Sequence, residues 1–121
     1  MNAPGKRAEE AAAAFLEKSG FEILERNFTV RGAEIDIVAR EKGCIVFVEV
    51  KASFTRSAAH GAPRERVTPA KQRRIGMAAL LYLQRYALYD TSVRFDVVEV
   101  FPQSIVLLRN AFVFQPPIEK N

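Results

Sequence analysis

Two acidic residues and a lysine stand where two apolar segments of the chain could meet. Asp36 lies within "AEIDIVAR" (33–40), and Glu49 and Lys51 close "CIVFVEVK" (44–51). Residues i and i+2 of a strand point to the same face, so Glu49 and Lys51 place opposite charges side by side. Burying such charges is costly unless they pair with each other or bind a metal ion.

The two segments are predicted to form a β-hairpin. The tripeptide "EKG" at 41–43 separates them as a tight turn. Counting outward from a turn centred near Lys42 brings Asp36 opposite Glu49, to within one residue. Two close carboxylates repel, and Mg²⁺ or Mn²⁺, which prefer oxygen ligands, would relieve that repulsion. Strand geometry alone leaves open an ordinary salt bridge from Lys51 to either acid.

A predicted helix at residues 7–19 adds a third acid. Its alanines and glutamates are strong helix formers, and a glycine follows as a C-terminal stop. Glu9 precedes Ala12 by three residues and Leu16 by seven, so it heads the apolar face that we expect to pack on the sheet. A favourable interaction with the helix dipole is the alternative role for an acid in the first turn.

Further strands and a second helix complete the predicted elements. Alternating residues predict strands in 21–30 and in the two halves of 93–110, and Ile35 and Ile37 are expected on one face of theirs. Thr68 is a suitable N-cap for a second helix, with a proline at its first position. The core stripe of this helix is predicted to be Ile75, Ala79, Tyr82 and Tyr86.

This order of elements predicts an α/β fold. A mixed five-stranded sheet flanked by helices, in the order α-β-β-β-α-β-β, accommodates every element. We expect the first three strands to form an antiparallel meander. The strand after the second helix should then join them in parallel through a crossover.

Basic residues cluster after the Glu49 strand. The segment 53–66 lacks periodicity, so we expect a loop beside the acids, with phosphate contacts predicted for Arg56, Arg64 and Arg66. The start of the second helix adds Lys71, Arg73 and Arg74. This clustering indicates binding to nucleic acid, and a solvated basic face is the alternative.

Length and composition set outer bounds. The 121 residues with net charge +4 suit one domain over 1–121, with flexible ends at 1–6 and 115–121. No segment approaches the roughly 20 apolar residues of a membrane span, and the start lacks a signal-peptide layout. The single cysteine excludes an internal disulfide. We therefore expect a cytoplasmic protein without a membrane partner.

Several stretches together resemble a known family. They cover Ala8 to Val100 and are "AEEAAAAFLEKSGFEILERNF", "GAEIDIVAR", "VFVEVKAS", "HGAPRERVTPAKQRRI" and "RFDVVEV". In this order they resemble the YraN-type (UPF0102) family of small predicted nucleases. That family is similar to archaeal Holliday-junction resolvases within the PD-(D/E)xK superfamily.

The resemblance implies a restriction-endonuclease-like fold and hydrolysis of DNA, branched DNA included. Asp36 and Glu49 would be ligands of Mg²⁺ or Mn²⁺, and Glu9 would reach the metal from the first helix. Lys51 would orient or help to deprotonate the attacking water, or stabilise the charged transition state. Two symmetric cuts in a four-way junction would require a homodimer.

Two positions depart from the family pattern. Ala8 stands where the family has glycine, and Ser53 stands where it has arginine. The loss of a basic side chain at Ser53 keeps a second interpretation open, a non-catalytic nucleic-acid-binding module on the same fold. A third is a structural or adaptor protein whose charged strand end is a salt bridge. Glu34 belongs to the same stretch as Asp36 and is interpreted as an acid that supports the start of its strand.

Overall fold

The five strands form one mixed sheet. The computed structural model describes residues 4–53 and 67–116. Its elements are α1 (Pro4–Lys18), β1 (Glu22–Val30), β2 (Ala33–Glu41), β3 (Cys44–Ala52), α2 (Pro69–Arg85), β4 (Ser92–Phe101) and β5 (Ser104–Phe112). The strands lie side by side in chain order, with β3 and β4 parallel and the other neighbours antiparallel. The predicted fold class and the crossover through α2 are confirmed.

Both hairpins of the meander close with two-residue turns. Arg31 and Gly32 join β1 to β2 with φ of 50° and 79°, and Lys42 and Gly43 join β2 to β3 with φ of 50° and 78°. Positive φ at both central residues defines a type I′ turn, whose twist matches that of the flanking strands. These turns fix the register that places Asp36 near β3.

The two helices cover opposite faces of the sheet. On one face, Ile75, Ala79 and Tyr82 of α2 pack into an aromatic core that includes Phe28, Phe47, Phe95 and Phe112. On the other face, Ala12, Ala13 and Leu16 of α1 pack against Ile37, Ala39, Val46, Val48 and Val98. Burial of these apolar side chains on both faces is the main stabilising contribution of the sheet.

Two sequence expectations about these elements need correction. Helix α1 begins at Pro4, three residues before its predicted start, because proline is well tolerated in the first helical turn. Tyr86 was expected in the core but is 48% exposed, because α2 ends at Arg85 and Tyr86 is its C-cap. Residues 1–3 and 117–121, within the ends predicted to be flexible, lie outside the described residues.

A buried charged network stabilises the end of β2 far from Asp36. The Arg94 guanidinium donates to Asp96 at 2.8 Å and to Glu41 at 2.7 Å, and Arg109 donates to Glu41 at 2.8 Å. The hydrogen bonds from both arginines lower the pKa of Glu41 to about 2, against an opposing effect of desolvation. Arg94 and Asp96 lie two residues apart on β4 and pair directly. Among the described residues, neither helix is long and apolar enough to cross a membrane.

Candidate functional site

Asp36 lies just beyond the end of the backbone pairing between β2 and β3. The last paired residues of these two strands are Ile37 and Val48. One step further along, the Asp36 carboxylate accepts a hydrogen bond of 2.8 Å from the main-chain N–H of Val50. The Glu49 carboxylate lies within hydrogen-bonding reach of Asp36, a contact that requires one of the two acids to be protonated. The structure therefore brings together the two acids that the hairpin register predicted to be opposite each other.

Strand β2 is irregular at this point, and the predicted orientation of two of its isoleucines was wrong. Ile35 and Ile37 were predicted on one face, but Ile35 packs in the core under α2 and Ile37 in the core under α1. Across β1, Asn27 lies between the partners of these two residues and has a left-handed φ of 56°. Such local departures break the simple alternation of a strand and re-aim a side chain, here that of Asp36.

Three carboxylates converge at this irregularity. Ligand oxygens of Glu9, Glu34 and Asp36 all lie within 4.8 Å of one another. Glu9 reaches the group from α1, as predicted, while Glu34 comes from the start of β2. Sequence reasoning had given Glu34 only a role in supporting its strand. It does contact Thr29, whose hydroxyl lies 3.4 Å from the Glu34 carboxylate. The signal available for its second role was its place two residues before Asp36.

The crowding of acids changes their protonation. Burial, followed by repulsion from Glu49 and a hydrogen bond with it, raises the pKa of Asp36 to about 8 from an ordinary 3.8. Burial and repulsion from Glu34 also raise the pKa of Glu9. Asp36 is only 9% exposed. Without a cation, the group therefore carries less negative charge at neutral pH than its number of acids suggests.

Two lysines face the buried carboxylate of Glu49. Lys51 Nζ lies 3.8 Å from Glu49 Oε2, and the ammonium of Lys71 contacts the same oxygen more closely. The carboxylate of Glu49 is 4% exposed. Partial burial lowers the pKa of Lys71, but hydrogen bonding and attraction to Glu49 outweigh burial and raise it. Lys71 is thus a protonated member of the site and not only a surface residue of a basic patch.

The N-terminus of α2 sets the position of Lys71. Thr68 is the N-cap, as predicted, and its hydroxyl accepts the main-chain N–H of Lys71 at 3.2 Å. The same helical turn puts Arg74 at the edge of the site. A cleft of about 200 Å³ runs between α2 and the sheet, lined by Gly32, Glu34, Asp36, Glu49, Lys71 and Arg74.

The other predicted site residues fall into two groups. Arg73 is exposed on α2 next to Arg74. Arg56, Arg64 and Arg66 were predicted to contact phosphate, and they lie outside the described residues.

At the two positions that depart from the family pattern, Ala8 is buried, and the main-chain N–H of Ser53 donates to the main-chain carbonyl of Val100 at 2.9 Å.

The class of protein follows from the fold and the site. It is a mixed α/β protein in which acids from α1, β2 and β3 meet two lysines, one from β3 and one from α2. The chain belongs to the uncharacterised protein family UPF0102, whose model matches residues 8–100. This confirms the YraN-type resemblance seen in the sequence.

Two UPF0102 relatives support the same assignment. The UPF0102 protein of Desulforapulum autotrophicum is 52% identical over 114 residues, which cover 89% of this chain and 91% of that protein. The UPF0102 protein of Geobacter sulfurreducens is 49% identical over 96 residues, 79% of this chain and 73% of its own. The crystal structure of SSO0001 aligns with 88% of this chain and 50% of its own, with a TM-score of 0.39 and 14% identity.

Proposed function

We propose that the protein is a metal-dependent endonuclease that hydrolyses phosphodiester bonds of DNA, with branched DNA among its substrates. The observation that supports this most is the position of Asp36. Its carboxylate lies within 4.8 Å of Glu9 and Glu34 and is hydrogen-bonded to Glu49, which two lysines contact. Converging acids beside ammonium groups in a cleft suit the chemistry of phosphate esters, which need both cations and a proton acceptor.

The donor set fits Mg²⁺ or Mn²⁺. Both ions prefer oxygen ligands, and carboxylates supply them. Oxygens of Glu9, Glu34 and Asp36 lie within 4.8 Å of one another, so a divalent cation would be held by drawing these carboxylates closer together. Asp36 would be a ligand together with Glu9, Glu34 or Glu49.

The lysines and the carboxylates of the site would have different roles in phosphodiester hydrolysis. When bound, a divalent cation supplies positive charge that offsets the charge developing on the phosphate. Lys51 and Lys71 add two ammonium groups beside Glu49, where they stabilise negative charge on the non-bridging oxygens. Because the pKa of Lys71 is raised, it stays protonated and cannot take the proton of the attacking water. That proton would pass to a carboxylate or to Lys51.

Cleavage assays test the proposal. Branched, single-stranded and duplex DNA would be incubated with Mg²⁺ or Mn²⁺ and with the wild type, Asp36→Ala and Glu49→Ala. Glu22→Ala is the control, since Glu22 is an exposed acid paired with Arg40 away from the site. We expect cleavage by the wild type and the control alone. Equal cleavage by all four proteins would identify a contaminating nuclease and overturn the proposal.

A specific contact supports a second candidate. Lys71 contacts Glu49 directly, which reduces the availability of this acid to a metal ion. A non-catalytic DNA-binding module would bind DNA with strong salt dependence in EDTA and never cleave it. A structural protein would bind neither metal nor DNA.

For the nuclease on a four-way junction we propose a homodimer, and sedimentation with and without the junction measures that assembly.

A further inference from the structure

A second cleft, larger than the one at the acids, lies between the β1–β2 turn and α2. We call it the arginine groove. Its volume is about 390 Å³, and three arginines line it, Arg31 from the turn and Arg73 and Arg74 from α2. Arg31 was not among the sequence-predicted binding residues. Its place at the first position of a type I′ turn fixes it at the tip of the hairpin, opposite the helix.

The three guanidinium groups are available to a ligand. All three residues are exposed, and none of them forms an ion pair with another residue within 4–53 and 67–116. Guanidinium groups bind phosphate oxygens through paired N–H donors, and a row of them suits a chain of phosphates. The charge of the groove is therefore complementary to a nucleic-acid backbone.

The groove also has an apolar floor. It is formed by Val30, Ala33, Met77, Ala78 and Leu81. Met77 is 45% exposed, so its side chain is accessible to a ligand in the groove. Charged walls around an apolar floor suit a ligand that offers phosphates and flat apolar surfaces together. Unpaired nucleotides do so, whereas a duplex presents its backbone and turns its bases inward.

The arginine groove is continuous with the acidic site. Ala33 and Arg74 line both clefts. A strand that lies in the groove with its phosphates on the arginines would thus be led past Arg74 toward Asp36 and Glu49.

We propose that the arginine groove binds an unpaired DNA strand that flanks the phosphate to be cleaved. This rests on the proposed nuclease function and adds to it a substrate feature, an unpaired segment next to the scissile bond. The phosphates contact Arg31, Arg73 and Arg74, and a base or sugar packs on Met77. Binding through this groove does not require a metal ion.

Binding of labelled oligonucleotides to the full-length protein in EDTA tests the inference. Fluorescence anisotropy would compare a single strand, a blunt duplex and a duplex with one unpaired arm. Arg31→Ala should weaken binding of the single strand and the armed duplex about three- to fivefold. It should also reduce the slope of log K against log salt by about 0.7 for each lost contact. The blunt duplex should bind as before, and Arg31→Lys should recover part of the loss.

Two further variants sharpen the comparison. Arg40→Ala removes an exposed arginine that pairs with Glu22 and lies outside the groove, so it should leave all three affinities unchanged. Met77→Asp introduces a negative charge on the floor and should weaken single-strand binding without removing any arginine. Thermal denaturation would establish that each variant is folded.

Specific outcomes would overturn the inference. Unchanged single-strand affinity in both Arg31→Ala and Met77→Asp would show that the groove does not bind the strand. An equal loss for single strand and blunt duplex would show that it binds backbone of either form and does not select unpaired DNA. Failure of the nuclease proposal has a different signature, since Asp36→Ala would then match the wild type in cleavage assays while the Arg31 effect on binding persisted.

Discussion

Replacing Asp36 with asparagine should stabilise the metal-free protein. Asparagine has nearly the same shape, accepts the Val50 N–H through its carbonyl oxygen and donates to Glu49 through its amide. It carries no charge to repel the neighbouring acids. The folded protein raises the pKa of Asp36 from 3.8 to about 8, so between these values the unfolded chain binds fewer protons than the folded one. The stability of the wild type therefore falls as pH rises through this range.

The size of the effect follows from the same two pKa values. Each pH unit between them contributes about 1.4 kcal/mol. From 3.8 to pH 7 the shift of Asp36 therefore accounts for up to about 4 kcal/mol. At pH 5 the corresponding limit is under about 2 kcal/mol. Asp36→Asn removes this dependence, so its advantage over the wild type should grow from pH 5 to pH 8.

Urea denaturation in EDTA at pH 5, 6, 7 and 8 measures this difference in unfolding free energy. Glu41→Gln is the matched control with the opposite sign, because Arg109 and Arg94 lower the pKa of Glu41 to about 2. That variant should be less stable than the wild type, and its deficit should stay nearly constant from pH 5 to pH 8, because the pKa of Glu41 lies below this range in both the folded and the unfolded protein. An Asp36→Asn protein that is less stable than the wild type, or equally stable at every pH, would refute the reasoning.

The remaining predictions concern metal competition and packing. Lys71→Met should raise Mn²⁺ affinity about fivefold in calorimetric titration, because Glu49 loses a competing cation, and unchanged affinity would mean that the ion does not use Glu49. Gly76→Ala should destabilise the protein by about 1–3 kcal/mol in urea, since a Cβ would lie 2.1 Å from Phe114. Leu16→Ala should cost about 2–5 kcal/mol, because Leu16 of α1 is fully buried against the sheet, and a loss below about 1 kcal/mol would contradict that packing.

Short sequence patterns predicted most of the structural features that bring the acidic residues of the site together. The "EKG" turn fixed the hairpin register, which brought Asp36 and Glu49 together, and the helical spacing of Glu9 placed it above them. Each of these inferences depends only on short-range geometry, in which a turn or a helix period decides the outcome. The crossover that makes β3 and β4 parallel followed from the position of α2 between them.

Contacts made over long sequence distances were harder to anticipate. Lys71 was assigned to a surface patch because its sequence neighbours are basic, but the packing of α2 on the sheet brings its ammonium to Glu49. Glu34 lies two residues before Asp36, but its approach to Glu9 depends on the packing of α1 against the sheet. A single sequence also gives little sign of the left-handed Asn27 opposite this part of β2. Tyr86 was predicted in the core but lies at the C-cap of α2, because helix periodicity does not indicate where a helix ends.

Location of Mn²⁺ by anomalous diffraction tests the central claim most directly. Crystals of the wild type and of Asp36→Asn would be soaked in Mn²⁺ under the same conditions. We expect an anomalous peak in the wild type within bonding distance of the Asp36 carboxylate and of Glu9, Glu34 or Glu49. In the variant this peak should be absent. Absence of a peak at these acids at saturating Mn²⁺, with Lys71 still paired to Glu49, would contradict it.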